Sequence, residues 1–395
     1  MNYHFLNSRS ILRQSLLIAA LMFISSCSPK EALPQETFTA VHPNLYLNQS
    51  EIDDIKSHIA ADQEPWKSAY DNLISQADQD LSIPPGSVTD NGGGHVWRTD
   101  QPYTTDGVYD PNADRQDYLL ADRISDTILN LGLAYQLSGR SEYADKAIQL
   151  IEVWFIDKST ALRAGTGSGN EIEIWITMPS AFYGMDLLWN YPSFPESDKL
   201  ALQSWAQVSI NRLLTLQTVN NWENWRLVYL MSLAHVAGDK GAMNAAIDRW
   251  KEVAEYQING EGLMSTELDR TLSLDYSIFA LSPMAQGAEI ARHYGVDLYG
   301  YRNSHNQNLE TVFDVYVPYV LDPSLWSYQQ IRPFDPSNGI FVYELAYSRY
   351  GHKNTYRSVI EEYQRPLVDT RTMGHVTLTH GSRFDDALLL PTSHP

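Results

Sequence analysis

Apolar residues recur along this chain with the spacing expected of α-helices. Ile124, Ile128 and Leu131 lie four and three positions apart, so they share one face of a helix. Gly139 is a typical helix end, and Ser141 is a favourable cap for a second helix with an apolar face of its own. The pattern predicts an antiparallel helical pair joined by a short turn, over 117–138 and 141–157.

The same spacing predicts ten further helices, at 50–62, 65–80, 172–189, 197–215, 222–237, 240–256, 274–293, 307–319, 338–350 and 354–362. Alternating runs long enough for a large sheet are lacking, although short apolar stretches at 374–379 and 386–390 suit small strands or an extended tail. Helices in successive hairpins favour an all-α fold, an incomplete (α/α) toroid or barrel of about six helical hairpins around a central cleft.

A long polar segment at 84–114 interrupts the helices and is predicted to be a lid loop. Loops of this length inside a domain usually have a function or are disordered. The aromatic and basic side chains of the segment favour a lid, with His95, Trp97 and Arg98 as candidate substrate-binding residues. His95 is also a candidate base, although a lone histidine in such a loop is more often a solvated surface residue.

The N-terminal residues have the pattern of an export signal. Arg9 and Arg13 precede an apolar run, 16–24, that is too short to remain in a bilayer as a permanent span. Ile24-Ser25-Ser26-Cys27 resembles a bacterial lipobox, which implies cleavage before Cys27 and lipidation of its sulfur. The alternative is an ordinary signal peptide that happens to contain a cysteine.

The chain is therefore expected to comprise a signal peptide (1–26), a lipidated tether (27–38) and one helical domain (39–395). We expect an exported lipoprotein of the bacterial cell envelope, in the outer membrane or periplasm, that meets the membrane only through its N-terminal lipid anchor. Cys27 is the only cysteine, so the mature chain has no internal disulfide and no thiolate nucleophile.

The net charge of −20 argues against nucleic acid as a partner, because such a surface repels polyanions. It would also repel an acidic polysaccharide unless positive side chains gather inside one cleft. The placement of each arginine is therefore informative.

The stretch VNNWENWRL combines amides and indoles at the start of an apolar helix. Asn220 can cap this helix, and Glu223, three residues on, resembles the glutamate of a capping box. Trp222 and Trp225 are then either core residues or stacking platforms for a sugar ring. A helix start also directs free backbone N–H groups at an anion in front of it, so Asn220 and Asn221 are candidates to face a substrate.

A second stretch places a cation and a phenol near another helix start. Apolar spacing begins this helix near Ser273, which leaves Arg270 in the preceding loop and Tyr276 in the first turns. Both side chains can then face one cleft. The alternative is an arginine paired with Glu267 or Asp269 and a tyrosine buried in the core.

Several motifs carry a resemblance to a known family: Asn220-Asn221 at a helix start; Gly262-Leu263; Glu267-Leu268-x-Arg270; Leu274-x-Tyr276-x-x-x-Ala280-Leu281; Leu133-Ala134-Tyr135; Tyr143-Ala144-x-Lys146-Ala147; Trp154 to Thr160; and Thr370 to Leu378. In this order they resemble the alginate lyases, helical-toroid polysaccharide lyases that act on uronate polymers. The resemblance implies β-elimination of an acidic polysaccharide, mannuronate-rich alginate foremost, without a cofactor.

The resemblance also implies roles for individual residues. It maps a carboxylate-binding amide onto Asn221, a carboxylate-neutralising cation onto Arg270, a catalytic phenol onto Tyr276 and a substrate-binding cation onto Arg371. The chain departs from the family in two places: Trp222 stands where a histidine is common, and the interval from Arg270 to Tyr276 is one residue short.

These residue types suit the chemistry. Neutralising the C6 carboxylate of a uronate with Arg270 and Asn221 stabilises the enolate-like transition state. Tyr276 then takes the C5 proton, for which its pKa of about 10 must be lowered by a nearby cation. The same phenol can protonate the leaving oxygen, so no histidine is required.

Two further residues are candidates for substrate binding. Asn170 opens a helix after a glycine-rich turn and is placed to line the cleft from the opposite side, although capping is the commoner role. His375 could pair with His380 at a metal, but no HExxH or matching ligand cluster accompanies them, so we predict no catalytic metal.

Three other functions remain open. The first is a lyase for glucuronan or another uronic-acid polysaccharide. The second is a glycoside hydrolase on an (α/α) toroid, which needs two carboxylates about 5–9.5 Å apart. Its candidates are Glu171, Glu173, Asp269 and Asp275. The third is a surface lipoprotein that binds glycans without turnover.

Overall fold

Helices form nearly all of the regular structure in the computed structural model, which describes residues 40–167, 170–351, 353–369 and 371–384. These residues fall within one compact unit, Glu36–Pro395. The predicted signal peptide, the tether and the lipidated Cys27 lie outside the described residues. In the part of the chain that is described, no helix is both long and apolar enough to cross a membrane.

The α-helices, numbered in chain order over the described residues, are α1 Gln49–Ala60, α2 Trp66–Asp80, α3 Gln116–Ser138, α4 Ser141–Ile151, α5 Ile172–Trp175, α6 Met178–Leu188, α7 Glu196–Leu213, α8 Asn220–Ala237, α9 Lys240–Gln257, α10 Ser273–His293, α11 Leu309–Leu321, α12 Val342–Arg349, α13 Asn354–Tyr363 and α14 Val376–His380. A π-helical turn, Glu152–Ile156, continues α4. Strands β1 Tyr103–Thr105 and β2 Val108–Tyr109 form an antiparallel hairpin.

Alternate helices form the inner layer of the fold. Helix α3 packs against α6, α6 against α8, and α8 against α10. On the outside, α4 packs against α3, while α7 and α9 pack against α8. This order of helical hairpins is an (α/α) toroid, and it confirms the fold class predicted from the sequence.

The inner helices are largely buried, and α6 is buried on every side. All residues of α6, Met178–Leu188, are buried, and most of them are apolar, as expected of a helix that is enclosed on every side. Glycines allow the closest approach: a Cβ at Gly184 would lie 2.5 Å from the carbonyl oxygen of Ile128 in α3. Only glycine fits where the two backbones meet so closely.

Two elements differ from the prediction. The segment 172–189 forms two helices, α5 and α6, because Pro179 has no N–H and its ring clashes with a preceding helical turn. The Thr177 hydroxyl donates to the Glu173 carbonyl oxygen at 2.8 Å and closes the first of these helices. The stretch 374–379 is not a strand, because the N–H groups of Leu378 and Thr379 both bond to the His375 carbonyl oxygen and close a helical turn.

The segment between α2 and α3 contains the β1–β2 hairpin, which the sequence did not predict. Asp117 in the first turn of α3 fixes this segment by accepting the backbone N–H of Thr89 at 3.0 Å and that of Arg98 at 2.9 Å. Residues of the hairpin and of the preceding turn line the main cavity of the toroid. The predicted lid loop therefore does lie over the cleft.

Candidate active site

A cavity of about 340 Å³ lies where the N-terminal turns of α3, α8 and α10 meet the lid hairpin. Helix N-termini carry partial positive charge, so this location favours anions. Predicted site residues that line it are Asn170, Asn221, Trp222, Arg270, Tyr276 and Arg371. The fold thus brings the amide, the guanidinium and the phenol into one cavity.

The chain turns sharply into α8 at Asn220. This residue has φ +56°, a left-handed conformation that asparagine tolerates, and its Oδ1 accepts the Trp222 N–H at 3.1 Å. Gln257 Nε2 donates to the Asn220 carbonyl oxygen at 2.9 Å and holds the turn. Asn220 therefore satisfies an N–H group of the first helical turn without lining the cavity, while Asn221 and Trp222 face inward.

Glu223 does not complete the capping box that the sequence suggested. Its carboxylate accepts the Thr218 N–H at 2.9 Å and forms ion pairs with Arg226 at 2.8 Å and Arg249 at 2.7 Å. Two guanidinium groups bind a carboxylate more strongly than one backbone N–H does, and they draw Glu223 away from Asn220. Burial raises the pKa of Glu223, but the two arginines outweigh it and bring this pKa down to about 2.

Glu267 joins the candidate amide to the candidate guanidinium. Its Oε1 accepts the Asn221 N–H at 2.7 Å, and its Oε2 accepts Asn221 Nδ2 at 3.1 Å and Arg270 Nη1 at 3.2 Å. The side chain is fully buried, and this burial raises its pKa. The sequence suggested Glu267 only as an alternative partner of Arg270, three positions away. Its contact with Asn221, 46 positions away, has no local signal.

Arg270 lies between the lid and the catalytic phenol proposed by resemblance. Its Nη2 and Nε bind the Asp106 carboxylate at 2.7 and 3.1 Å, a two-pronged contact with the tip of the lid hairpin. The guanidinium carbon lies 4.2 Å from the centre of the Tyr276 ring. Arg270 thus forms the ion pair with Glu267 that the alternative interpretation proposed, and it also lines the cavity.

Tyr276 is protonated in this arrangement. Burial raises its pKa most, and the nearby Asp106 carboxylate raises it further, whereas the charge of Arg270 lowers it. The expected activation of the phenol by Arg270 is therefore opposed while Asp106 remains in place.

The opposite wall of the cavity contains a second arginine–carboxylate pair. Arg115 Nε donates to Glu173 at 2.8 Å, and its guanidinium stacks 4.0 Å from the centre of the Tyr118 ring. Asn170, which is 3% exposed, precedes α5 beside this pair. Burial raises the pKa of Glu173 although Arg115 opposes the shift.

Two further arginines line the cavity without a carboxylate partner among the described residues: Arg332 and Arg371. Arg371 donates instead to neutral acceptors, the Ser337 carbonyl oxygen and Asn338 Oδ1, both at 3.3 Å. A strongly acidic chain thus gathers four arginines around one cavity, and two of them keep their charge uncompensated by direct ion pairing.

The family profile described as alginate lyase matches residues 57–326. The chain belongs to the alginate lyase family. Among curated proteins, an alginate lyase of Pseudomonas syringae pv. tomato is 26% identical over 202 residues, which cover 49% of this chain and 52% of that protein. One of Pseudomonas syringae pv. syringae is 25% identical over 205 residues, covering 49% of this chain and 53% of that protein. The chain spans about half the length of these curated relatives.

Solved structures of alginate lyases share the fold. The structure of an alginate lyase from Bacteroides ovatus superimposes with a TM-score of 0.74 at 23% identity, covering 87% of this chain and 100% of that one. Alginate lyase A1-III from Sphingomonas species A1 gives a TM-score of 0.68 at 18% identity, covering 84% of this chain and 95% of that one. At these identities the comparison establishes the toroid and not the residue roles.

The remaining candidates do not line the cavity of this member of the alginate lyase family. Trp97 and Trp225 are 0% and 1% exposed, so their indoles pack in the core. His95 faces the Val88 carbonyl oxygen at 3.0 Å, and Arg98 is exposed elsewhere on the lid segment. His375 is 7% exposed at the start of α14, where burial lowers its pKa to about 4.

The carboxylates that a hydrolase would use are already engaged or lie outside the cavity. Glu173 is paired with Arg115, and Asp275 accepts hydrogen bonds from Asn338, Gln330 and the Asp335 N–H. Glu171 pairs with Arg212 in a separate pocket, and Asp269 does not line the cavity. The arrangement favours charge neutralisation by arginines over a pair of free carboxyl groups.

Two groups of side chains among the described residues have the donor types of a metal site: His42, Asp186 and His235, and Glu51, Glu289 and His293. Asp186 Oδ1 bonds to both histidines of the first group, at 2.6 and 2.8 Å. Arg292 and Arg349 pair with Glu289 in the second. Neither group lines the cavity, and the absence of a metal or cofactor from the reaction remains a prediction.

Proposed function

We propose that this protein is a polysaccharide lyase that cleaves a uronate polymer, alginate foremost, by β-elimination. The observation that carries the proposal is the common cavity of Asn221, Arg270 and Tyr276, in which the guanidinium lies 4.2 Å from the phenol ring. An amide and a cation that can bind a carboxylate thus lie beside a group that can transfer a proton. Membership of the alginate lyase family supports the same reaction.

The charges of the cavity suit an acidic polymer. Arg332 and Arg371 line the cavity without a direct ion pair among the described residues, and helix N-termini add to the positive potential. A neutral glycan would gain little from this arrangement. Such focused charge can attract a polyanion even to a protein with a net charge of −20.

The reaction follows from the positions of three groups. The substrate carboxylate is held by Arg270 and the Asn221 amide, which stabilise the negative charge that develops as C5 loses its proton. The Tyr276 phenolate takes that proton. The electron pair of the C5–H bond forms the C4=C5 double bond, the C4–O bond breaks, and the leaving oxygen receives the proton from Tyr276. No other group gains or loses a proton over the cycle.

Trp222 fits a mechanism without histidine. It stands where the family commonly has histidine, and no histidine is among the described residues that line the cavity. Its indole lies edge-on to Trp175, with ring centres 6.0 Å apart, which leaves it partly exposed at the cavity wall. We assign Trp222 to contact with a sugar ring and Tyr276 to both proton transfers.

The function is tested with a panel of purified polymannuronate, polyguluronate, glucuronan and a neutral glucan. Elimination yields unsaturated uronates that absorb in the near ultraviolet, and the masses of two fragments sum to that of their parent. Hydrolysis instead adds one water to that sum and gives no new absorbance. Binding without either product identifies a non-catalytic glycan-binding protein, and failure on every uronate overturns the proposed function.

We also propose export and lipid anchoring at Cys27, on the basis of the lipobox resemblance. Cells that express the full chain are labelled with a fatty-acid analogue, and the Cys27→Ser variant serves as the control. Label on the native chain alone supports the anchor. Label on neither chain, with a processed N-terminus, identifies an ordinary signal peptide.

A further inference from the structure

Asp275 lies next to the proposed catalytic phenol but points away from it, into a loop. It is 2% exposed at the start of α10, and its Oδ1 accepts the Asp335 N–H at 3.2 Å and Asn338 Nδ2 at 2.8 Å. Its Oδ2 accepts the side-chain amide of Gln330. The hydrogen bonds to this carboxylate come from neutral donors, while the nearby charge of Arg332 acts on it without a direct ion pair among the described residues.

The loop that Asp275 binds contributes two residues to the cavity, Arg332 and Asn338. The same loop is tied to the start of α10 by the Ser273 N–H and hydroxyl, both of which donate to the Gln329 carbonyl oxygen. Asp275 is therefore one of the main attachments between the loop and the helix that bears Tyr276.

The polarity of the contacts fixes the orientation of the Asn338 amide. A carboxylate can only accept, so the Nδ2 group must face Asp275, and Oδ1 is then directed to Arg371. A guanidinium can only donate, and Arg371 Nη2 lies 3.3 Å from that oxygen. The chain of contacts from Asp275 through Asn338 to Arg371 has one consistent direction.

The Asn338 amide between Asp275 and Arg371 affects how far the charge of the arginine is neutralised. Arg270 and Arg115 contact carboxylates directly and are largely neutralised by them. Arg371 is held by an amide and a carbonyl oxygen, so it is oriented without direct contact to a carboxylate, although its charge opposes the raised pKa of the Asp122 carboxyl. Its guanidinium also lies 5.2 Å from the centre of the Phe279 ring, which lines the same cavity.

We propose that Asp275 is a positioning residue that acts through Asn338 to hold Arg371 toward a substrate carboxylate. This inference rests on the proposed function, because Arg371 is taken to bind the uronate chain. Asp275 touches no reacting atom and has no part in the proton transfers. Its contribution is to substrate binding at a distance from Tyr276.

Kinetics on the best uronate polymer test the proposal. In Asp275→Asn an amide replaces an acceptor-only group, so one of the surrounding donors loses its partner and Asn338 is free to turn. We expect KM to rise about tenfold, which corresponds to the loss of one hydrogen bond to a charged group. The value of kcat should change less than about twofold. Asp335→Asn removes a carboxylate charge from the loop that Asp275 binds but keeps its acceptor for the Ser337 N–H, and its KM should stay within about twofold.

A double-mutant cycle separates positioning from a general structural role. If Asp275 acts through Arg371, adding Asp275→Asn to Arg371→Ala raises KM by less than about twofold further. If the two substitutions instead raise KM by factors that multiply in the double variant, the proposal is wrong. Should Asp275→Asn fail to fold, Asn338→Ala breaks the same relay at its middle and must give the same rise in KM and the same lack of additivity.

A crystal structure of Asn338→Ala gives a readout that needs no turnover. The proposal requires the Arg371 guanidinium to leave its place over Phe279 when the amide is absent. An unmoved Arg371 would refute the positioning role even if the enzyme is active. If the unsubstituted protein is inactive on every uronate, the proposed function is wrong. The position of Arg371 in the Asn338→Ala structure would still show whether Asn338 orients it.

Discussion

Asp106 Oδ1 lies 2.7 Å from Arg270 Nη2, and Asp106 Oδ2 lies 3.1 Å from Arg270 Nε, so a carboxylate of the lid fills the fork of the guanidinium. The third nitrogen, Nη1, contacts Glu267 at 3.2 Å. A substrate carboxylate can therefore take its place on Arg270 only after the tip of the hairpin withdraws. The side chains of this pair are 26% and 34% exposed, which keeps the contact weak enough to exchange.

Replacing Asp106 by asparagine should improve substrate binding. The lid carboxylate competes with the substrate for Arg270, and a partly exposed pair of this kind is worth about 1 kcal/mol or less, or roughly fivefold in affinity. We expect Asp106→Asn to lower KM for the uronate polymer by up to about fivefold with little change in kcat. Asp90→Asn, the same change at an exposed lid position, is the control. A higher KM in Asp106→Asn alone would show that Asp106 supports binding instead.

The same substitution should change the pH dependence of the reaction. In the proposed mechanism the active form of Tyr276 is the phenolate. Its pKa is raised by burial and by the Asp106 carboxylate, so kcat/KM should increase as the pH rises. Asp106→Asn removes one of these causes and should move the ascending limb to lower pH. Profiles from about pH 6 to pH 10 measure this shift. A limb that moves to higher pH, or a rate that falls as the pH rises, would contradict the role of the phenolate.

Tyr276→Phe should abolish elimination while oligosaccharide binding is retained. The substitution removes the oxygen that takes and returns the proton, and general acid–base groups contribute about 10²–10⁴-fold to rates. Binding is measured by calorimetry with an oligouronate, and turnover by product absorbance. Tyr103→Phe, a second tyrosine of the cavity wall, is the matched control and should keep most of the activity. Substantial turnover by Tyr276→Phe would assign the proton transfer to another group.

Glu223→Gln should destabilise the fold. The Glu223 carboxylate is fully buried and pairs with Arg226 and Arg249, and breaking such a buried network costs about 3–5 kcal/mol. We expect a loss of about 3 kcal/mol in the free energy of unfolding, measured by urea denaturation at neutral pH. Glu252→Gln removes another partner of Arg249 that is 65% exposed, and it should cost less than about 0.5 kcal/mol.

The sign of the pH dependence follows from the lowered pKa of Glu223. Its folded-state pKa of about 2 lies below the ordinary glutamate value of about 4.3. The stability that the ionised group contributes is therefore present above about pH 4.3 and lost as the pH falls toward 2. The difference in unfolding free energy between the native protein and Glu223→Gln should narrow over this interval. A difference that widens in acid would rule out the ionised network as its source.

Local patterns were enough to predict most of the helices. The outer helix predicted at 240–256 is observed at Lys240–Gln257. Its apolar face and its flanking turn both depend on residues that are close in sequence, so a local pattern is sufficient to predict it. The predicted helix at 172–189 divides at Pro179, where the preference of one residue outweighs the continuing apolar pattern. The bounds of most helices could thus be predicted from neighbouring residues in the sequence, and a proline accounts for this exception.

The site was predictable only in part. Asn221, Arg270 and Tyr276 stand at helix starts, where the sequence signal is local, and they do meet in one cavity. Asp106 contacts Arg270 across 164 positions, and no local pattern marks such a pair. The indole of Trp225 was a candidate for the core or for contact with a sugar, and it packs in the core. The sequence alone left this open, because it does not show which face of α8 the neighbouring elements cover.

The close packing of the inner helices behind the cavity separates stability from selectivity in this molecule. The residues that line the cavity come from α5, from the first turns of α3, α8 and α10 and from the loops around them, at one rim of the toroid. Changes at that rim leave the packed interior untouched. We therefore expect that substitutions at this rim can change which polymer the protein prefers without repacking the helices behind it.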